Sequence, residues 1–204
     1  MATPHPSGVD LSHFQGNVDF PKLKSGGQSF VSIKATQGTS YSASSYYTDN
    51  IVKARAAGLI SGGYHFYSGA HDGVEQANYF LKVAQPQKGD LLPMLDLEED
   101  GGASAQQVAS GALAFVDTIE KATGRKPFVY TTAAFFAKIG NPKGFEECPL
   151  WVANYGVTKP KLPVGWTLYT IWQYSQSGSV NGVVGSVDMD NFNGSAETLE
   201  KFRL

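Results

Sequence analysis

The chain has one cysteine, Cys148, among 204 residues. That scarcity excludes an internal disulfide framework, a zinc knuckle and a redox CxxC pair. The position of Cys148 before Pro149, at the start of an apolar run, points to a buried thiol. Charge of one sign is also lacking. The 16 Lys and Arg residues stand against 18 Asp and Glu, leaving a formal net charge of −2. The basic residues are scattered, which gives no footing for nucleic acid or an anionic membrane surface. No apolar run is long enough to span a bilayer, so no membrane insertion is expected. The N-terminal residues have neither the basic nor the apolar region of a secretory signal, and residues 1–7 read as a flexible tail. There is no Gly-rich phosphate loop, no GxSxG elbow and no His, Cys and acid spacing suited to a metal. The chain therefore calls for no metal and no cofactor. Without repeats, low-complexity tracts or a linker, residues 1–204 read as one catalytic domain.

What the chain does have is a recurrence of short apolar or β-branched runs. Strands are predicted at residues 8–11, 30–36, 62–67, 91–98, 126–132, 150–155, 169–174 and 187–190. Eight strands can close a small barrel. Helical turns or helices are predicted after each of the first five. Asp72 with Glu75, and Ser104 with Gln107, form N-cap and capping-box signatures. Val108, Ala112, Phe115, Val116 and Ile119 make one apolar helical face that ends near Gly124. Residues 155–168 and 175–186 are instead rich in Gly, Pro, Ser, Lys or Asn and lack helical periodicity. The predicted fold is therefore an α/β, irregular TIM-like barrel. Its eight strands comprise about five βα units followed by three strands without regular helices, and a last helix covers 195–202.

The fourth predicted strand carries the chemistry. Residues 91–98, Leu-Leu-Pro-Met-Leu-Asp-Leu-Glu, are an apolar run that ends in two carboxylates. Alternation on a strand sends Asp96 and Glu98 the same way, with Cβ atoms roughly 6–7 Å apart. A buried strand has no structural use for two acids on one face, since each charge must be solvated or paired. Hydrolysis of a glycosidic bond does require two such acids. Asp10 and Asp188 also fall near strand ends, where barrels carry their functional residues. Taken singly, each acid could equally be a cap, a loop acid or a surface ion pair.

Aromatic residues crowd the same regions: Tyr64, Phe66, Tyr130, Trp151, Tyr155, Trp172 and Tyr174. Core packing accounts for most of them. Tyr64, Phe66, Tyr130 and Trp172 are candidates for stacking on sugar rings, with Gln173, Asn154 and Gln37 as polar partners. His65 opposes Tyr64 by alternation and reads as structural.

The blocks Gly8-Val9-Asp10-Leu11-Ser12-His13-Phe14-Gln15-Gly16, Lys34-Ala35-Thr36-Gln37-Gly38, Gly62-Gly63-Tyr64-His65-Phe66, Leu95-Asp96-Leu97-Glu98, Trp172-Gln173-Tyr174 and Phe192-Asn193-Gly194 span nearly the whole chain. In that order they resemble glycoside hydrolase family 25, the Chalaropsis-type lysozymes. The resemblance implies an irregular eight-stranded barrel. It also implies cleavage of the β-1,4 bond between N-acetylmuramic acid and N-acetylglucosamine in peptidoglycan, by a monomer acting outside the cell or in the wall. Position by position, Glu98 takes the general-acid role. Asp96 orients and stabilises the substrate's own N-acetyl group as it attacks the anomeric carbon, which gives retention. Asp10 and Asp188 are further pocket acids. An ionised Asp96 is expected to raise the pKa of Glu98. The chain departs from the family pattern at Gln37, where the pattern has Glu, so one ionisable group is missing. That departure motivates another reading, a non-catalytic wall-glycan-binding protein. A hydrolase of chitin-like oligosaccharides would need the same acid pair.

Overall fold

The computed structural model describes residues 5–42 and 44–204. Its strands, numbered in chain order, are β1 (Ser7–Leu11), β2 (Gln28–Gln37), β3 (Tyr41–Ser42), β4 (Ile60–Phe66), β5 (Met94–Asp96), β6 (Phe128–Thr131), β7 (Leu150–Ala153), β8 (Ile171–Gly178) and β9 (Val187–Phe192). Eight of these close into a barrel, with β1 paired to both β2 and β9. The two-residue β3 adds only a hairpin arm to β2, and the sequence reading had no strand there. Neighbours from β1 through β8 run parallel around the barrel, whereas β9 is antiparallel to both β8 and β1.

The five expected βα units are present, with helices α1 (Phe20–Ser25), α2 (Ser44–Ala56), α3 (Gly73–Ala84), α4 (Ala105–Thr123) and α5 (Ala133–Lys138). Both expected N-caps form, but of the two expected capping boxes only that of α4 is complete among the described residues. Asp72 accepts from the Glu75 N–H, and Ser104 and Gln107 close a reciprocal capping box. Gly124 stops α4 with φ of 73°, a conformation that costs a residue with a Cβ. The predicted last helix is only α6 (Ala196–Leu199), continued by a 3-10 turn.

Three further differences have local causes. The fourth strand is shorter than residues 91–98, because Pro93 offers no N–H to the ladder. Leu91 and Leu92 instead donate to Ser61 and Phe202 carbonyls. The crossover from β7 to β8 is parallel yet carries no helix, so irregular chain alone makes that return. Residues 6 and 7 of the expected tail are held by the barrel, because Ser7 opens β1 and the Pro6 carbonyl accepts from the Phe192 N–H. Residues 1–4 lie outside the described residues.

Period-two alternation sorts the side chains into two cores. Phe30, Met94, Phe128, Trp151, Ile171 and Phe192 fill the barrel's interior. Val9, Leu11, Val31, Ile33, Leu95 and Val129 face outward, under Phe80, Phe115 and Ile119 of the helices. Gly8 faces inward where the Phe30 ring passes, and a Cβ there would lie 2.3 Å from that ring. His65 sits wholly buried in the outer layer, bonded to Thr36 and Gln76 and stacked on Phe115. Burial pulls its pKa down to about 4, so it stays neutral.

Candidate active site

At one end of the barrel the apolar filling gives way to polar side chains. Asp10 of β1, Lys34 of β2, Tyr64 and Phe66 of β4, Asp96 of β5 and Tyr130 of β6 line a cleft of about 250 Å³. Glu98, Asp188, Gln173 and Tyr155 complete its polar wall. The antiparallel direction of β9 explains Asp188. The start of that strand lies at the rim formed by the ends of the others, and Asp188 pairs in register with Asp10. Beyond β5 the extended course continues, since Leu97 N–H donates to the Tyr130 carbonyl at 2.9 Å. Glu98 thereby stays on the same side as Asp96.

This is an acid-rich site with little counter-charge. Burial, then Glu98 and Asp10, lifts Asp96 well above the ordinary carboxylate range. Burial, then Glu99 and Asp188, raises Glu98. Burial and Asp188 raise Asp10, while burial raises Asp188. The expected cause for Glu98 is thus corrected: desolvation leads, followed by Glu99 and Asp188. Asp96 is the more strongly raised of the pair, because it lies deeper, with 7% of its surface exposed. One Asp96 oxygen, Oδ1, is buried without a hydrogen-bond partner among the described residues. Such an orphan costs about 1–3 kcal/mol until a donor reaches it.

Gln173 is the hub of the floor. Its Nε2 donates to Asp10 Oδ2 at 2.6 Å, and its Oε1 accepts from the Tyr130 hydroxyl at 2.8 Å and from the Tyr155 hydroxyl. Not every candidate reaches the cleft. Trp172 alternates away from Gln173 and donates to the Asn154 carbonyl at 2.8 Å, with its ring against Tyr169 and Tyr174. Asn154 spends its side-chain oxygen on the Lys161 N–H. These two fix the loop after β7 and stand outside the cleft wall. Gln37 bears on the site through Lys34, whose Nζ donates to its Oε1 at 2.8 Å.

A larger hollow of about 610 Å³ lies at the opposite end, beside Lys126, Cys148 and Trp166. Its Glu120 and Glu147 are paired with Lys126 at 2.9 and 3.7 Å, so it holds no unpaired acid cluster of this kind.

The family model of glycosyl hydrolases family 25 matches residues 9–183. The chain belongs to that family. As a family 25 glycoside hydrolase it is 38% identical to lysozyme M1 of Streptomyces globisporus, over 94% of this chain and 69% of the relative. It is equally 38% identical to the N,O-diacetylmuramidase of Chalaropsis, over 89% and 95% of the two chains. The crystal structure of the bacterial lysozyme from Streptomyces coelicolor superposes with a TM-score of 0.93, at 36% identity, covering 98% of each chain.

Three residues of this family 25 hydrolase escaped the sequence reading. Lys34 is the one charged residue of β2 (Gln28–Gln37), a signal that could have been used. Burial pulls its pKa down, against Asp96, Glu98 and Glu99, and its Nζ sits 4.3 Å from the Phe66 ring centre. Asp190 follows Asp188 by the same two-residue step as Glu98 follows Asp96, so the same argument applied to it. Phe14 lines the cleft mouth with 82% of its surface exposed, on a 3-10 turn held by the Ser12–Gln15 capping box. No pattern in the sequence marks it.

Proposed function

We propose that this glycoside hydrolase is a muramidase. It cuts the β-1,4 bond between N-acetylmuramic acid and N-acetylglucosamine in peptidoglycan, outside the cell or in the wall, and works as a monomer. The observation that carries the reading is the pair on one side of β5, Glu98 at the cleft and Asp96 beneath it. Burial keeps a proton on Glu98 beyond the usual range of a glutamic acid, which suits donation to the leaving glycosidic oxygen.

Asp96 then serves the other side of the bond. Its orphaned Oδ1 is an acceptor suited to the N–H of a substrate acetamido group. Burial favours the protonated form of Asp96, whereas a donated N–H and a developing positive charge both favour its ionised form. The acetamido oxygen attacks the anomeric carbon, the C–O bond to the leaving sugar breaks, and the Glu98 proton goes to that leaving oxygen. Water then opens the oxazolinium ring, its proton returning to Glu98, with net retention. Asp10 and Asp188 frame the other wall, and Tyr64, Phe66 and Tyr130 supply ring faces. Phe14 offers an exposed face to a sugar further along the strand.

Digestion of purified peptidoglycan followed by mass analysis of the fragments tests this. New reducing ends at N-acetylmuramic acid are expected. Ends at N-acetylglucosamine, or intact glycan, contradict the proposal.

A further inference from the structure

Asp190 lies on β9 with none of its surface exposed, in register with Gly8 of β1 and Gln173 of β8. Its Oδ1 accepts from the Trp151 indole N–H at 2.8 Å. Its Oδ2 meets no N–H or hydroxyl donor among the described residues. What it does meet is another acid: the Asp190 and Asp10 side chains lie within hydrogen-bonding reach of each other, as do those of Asp10 and Asp188. Two carboxyl groups can bond in this way only if one of them carries the proton.

The surroundings decide which. Gln173 must turn its oxygen toward the Tyr130 and Tyr155 hydroxyls, so its amide N–H₂ faces Asp10 Oδ2 at 2.6 Å. A donated amide N–H favours charge on Asp10. Asp190 is the deeper of the two, with exposures of 0% against 8%, so ionising it is the costlier choice.

We propose that Asp190 is a permanently neutral carboxylic acid that donates its proton to Asp10, a positioning residue that holds Asp10 as an ionised acceptor facing the cleft. The consequence for catalysis rests on the muramidase reading; the protonation state does not. The groups that bear on this pair come from every side: Asp188 on the same strand, Tyr64 on β4, Asp96 and Glu98 at β5, Tyr130 and Tyr155 beyond it, and Tyr174 on β8. Burial comes first in raising Asp190, with Asp10 and Asp188 adding to it.

The test compares Asp190→Asn with Asp190→Leu. Asparagine keeps an N–H donor toward Asp10 and an oxygen toward Trp151 without any charge to lose. Its pH–rate profile on peptidoglycan is expected to overlay that of the parent enzyme, with kcat/KM within about threefold. Leucine removes the donor, so kcat/KM falls roughly ten- to a hundredfold and the acid limb moves to higher pH as Asp10 becomes harder to ionise. An Asp190→Asn profile whose acid limb moves to lower pH would overturn the proposal, because it would mean that a negative charge had been removed. A spectroscopic arm needs neither activity nor that variant's folding. In ¹³C-carboxyl aspartate-labelled parent protein, the signal assigned to Asp190 is expected to remain at the protonated position from about pH 5 to 8 and to respond to Asp10→Asn. Failure to find such a signal overturns the proposal even in an active enzyme. An inactive parent enzyme that shows the signal would contradict only the muramidase reading.

Discussion

Asp90 and Asp96 stand at opposite ends of the chain segment that forms the fourth stave, and they are almost equally buried, at 5% and 7% exposure. Their company differs completely. Asp90 receives both nitrogens of the Arg55 fork, at 2.8 and 2.7 Å, and the Gln87 N–H as well. Asp96 faces Glu98 and Asp10, with Lys34 as the nearby cation, and one of its oxygens has no partner among the described residues. The first arrangement is what a buried carboxylate needs for stability. The second costs stability, and the barrel retains it at its open end. The difference separates a structural acid from a chemical one without reference to any relative.

Breaking the chemical end gives the largest expected effect. Glu98→Gln keeps the shape of the cleft but has no proton to give, so release of reducing ends from peptidoglycan should fall about a thousandfold. Its thermal midpoint should not drop. Normal turnover by this variant would remove Glu98 from its role.

Breaking the structural end should do the reverse. Arg55→Ala leaves the Asp90 carboxylate buried without its counter-charge, at a cost of about 3 kcal/mol. At this size that lowers the thermal midpoint by roughly 6–12 °C. Activity per folded molecule should be unchanged, because both groups are remote from the cleft.

Acidity sharpens the comparison next. Asp10, Asp96, Glu98, Asp188 and Asp190 all titrate above their ordinary values. In the unfolded chain such groups lose their protons near about pH 4. The folded chain therefore binds more protons above that point, and their contribution to stability falls as pH rises through the raised values. Heating curves of the parent protein and of a variant lacking one of these acids should coincide most closely near pH 4. They should diverge in the variant's favour toward neutral pH.

Gln37→Glu is a smaller change. A carboxylate on Lys34 would draw that cation's field away from Asp96 and Glu98, raising both. The alkaline limb of the pH–rate profile should move up by about half a unit to one unit. A limb that stays in place would show that Lys34 does not act on the pair. Phe14→Ala should be smallest, raising KM for long glycan strands about threefold while leaving cleavage of short oligosaccharides unchanged.

Much of this comparison could be read from the chain before folding. The two-residue step from Asp96 to Glu98 fixes their common side, and the capping signatures at Asp72 and Ser104 fix where α3 and α4 begin. The direction of β9 was not legible, since alternation is the same in either direction. It took the closed barrel to show why Asp188 stands opposite Asp10. Trp172 and Gln173 are adjacent, so alternation alone should have sent one of them out of the cleft. Asn154 fell to a neighbouring loop whose course no periodicity specifies. Lys34, the one charge of β2, and Asp190, two residues after Asp188, were legible by the same argument as Asp96 and Glu98, but only the closed barrel shows which groups they meet.

One variant tests both sides of the account at once. Asp96→Asn removes a buried carboxyl whose ionisation the fold penalises and keeps the volume. Activity on peptidoglycan should fall at least about a hundredfold, because an amide stabilises a developing positive charge less well. At neutral pH the thermal midpoint should rise by about 2–4 °C, the shift that 1 kcal/mol produces in a domain of this size. A variant that keeps its activity, or that loses stability at neutral pH, would contradict the claim that this acid is held at the cleft for chemistry.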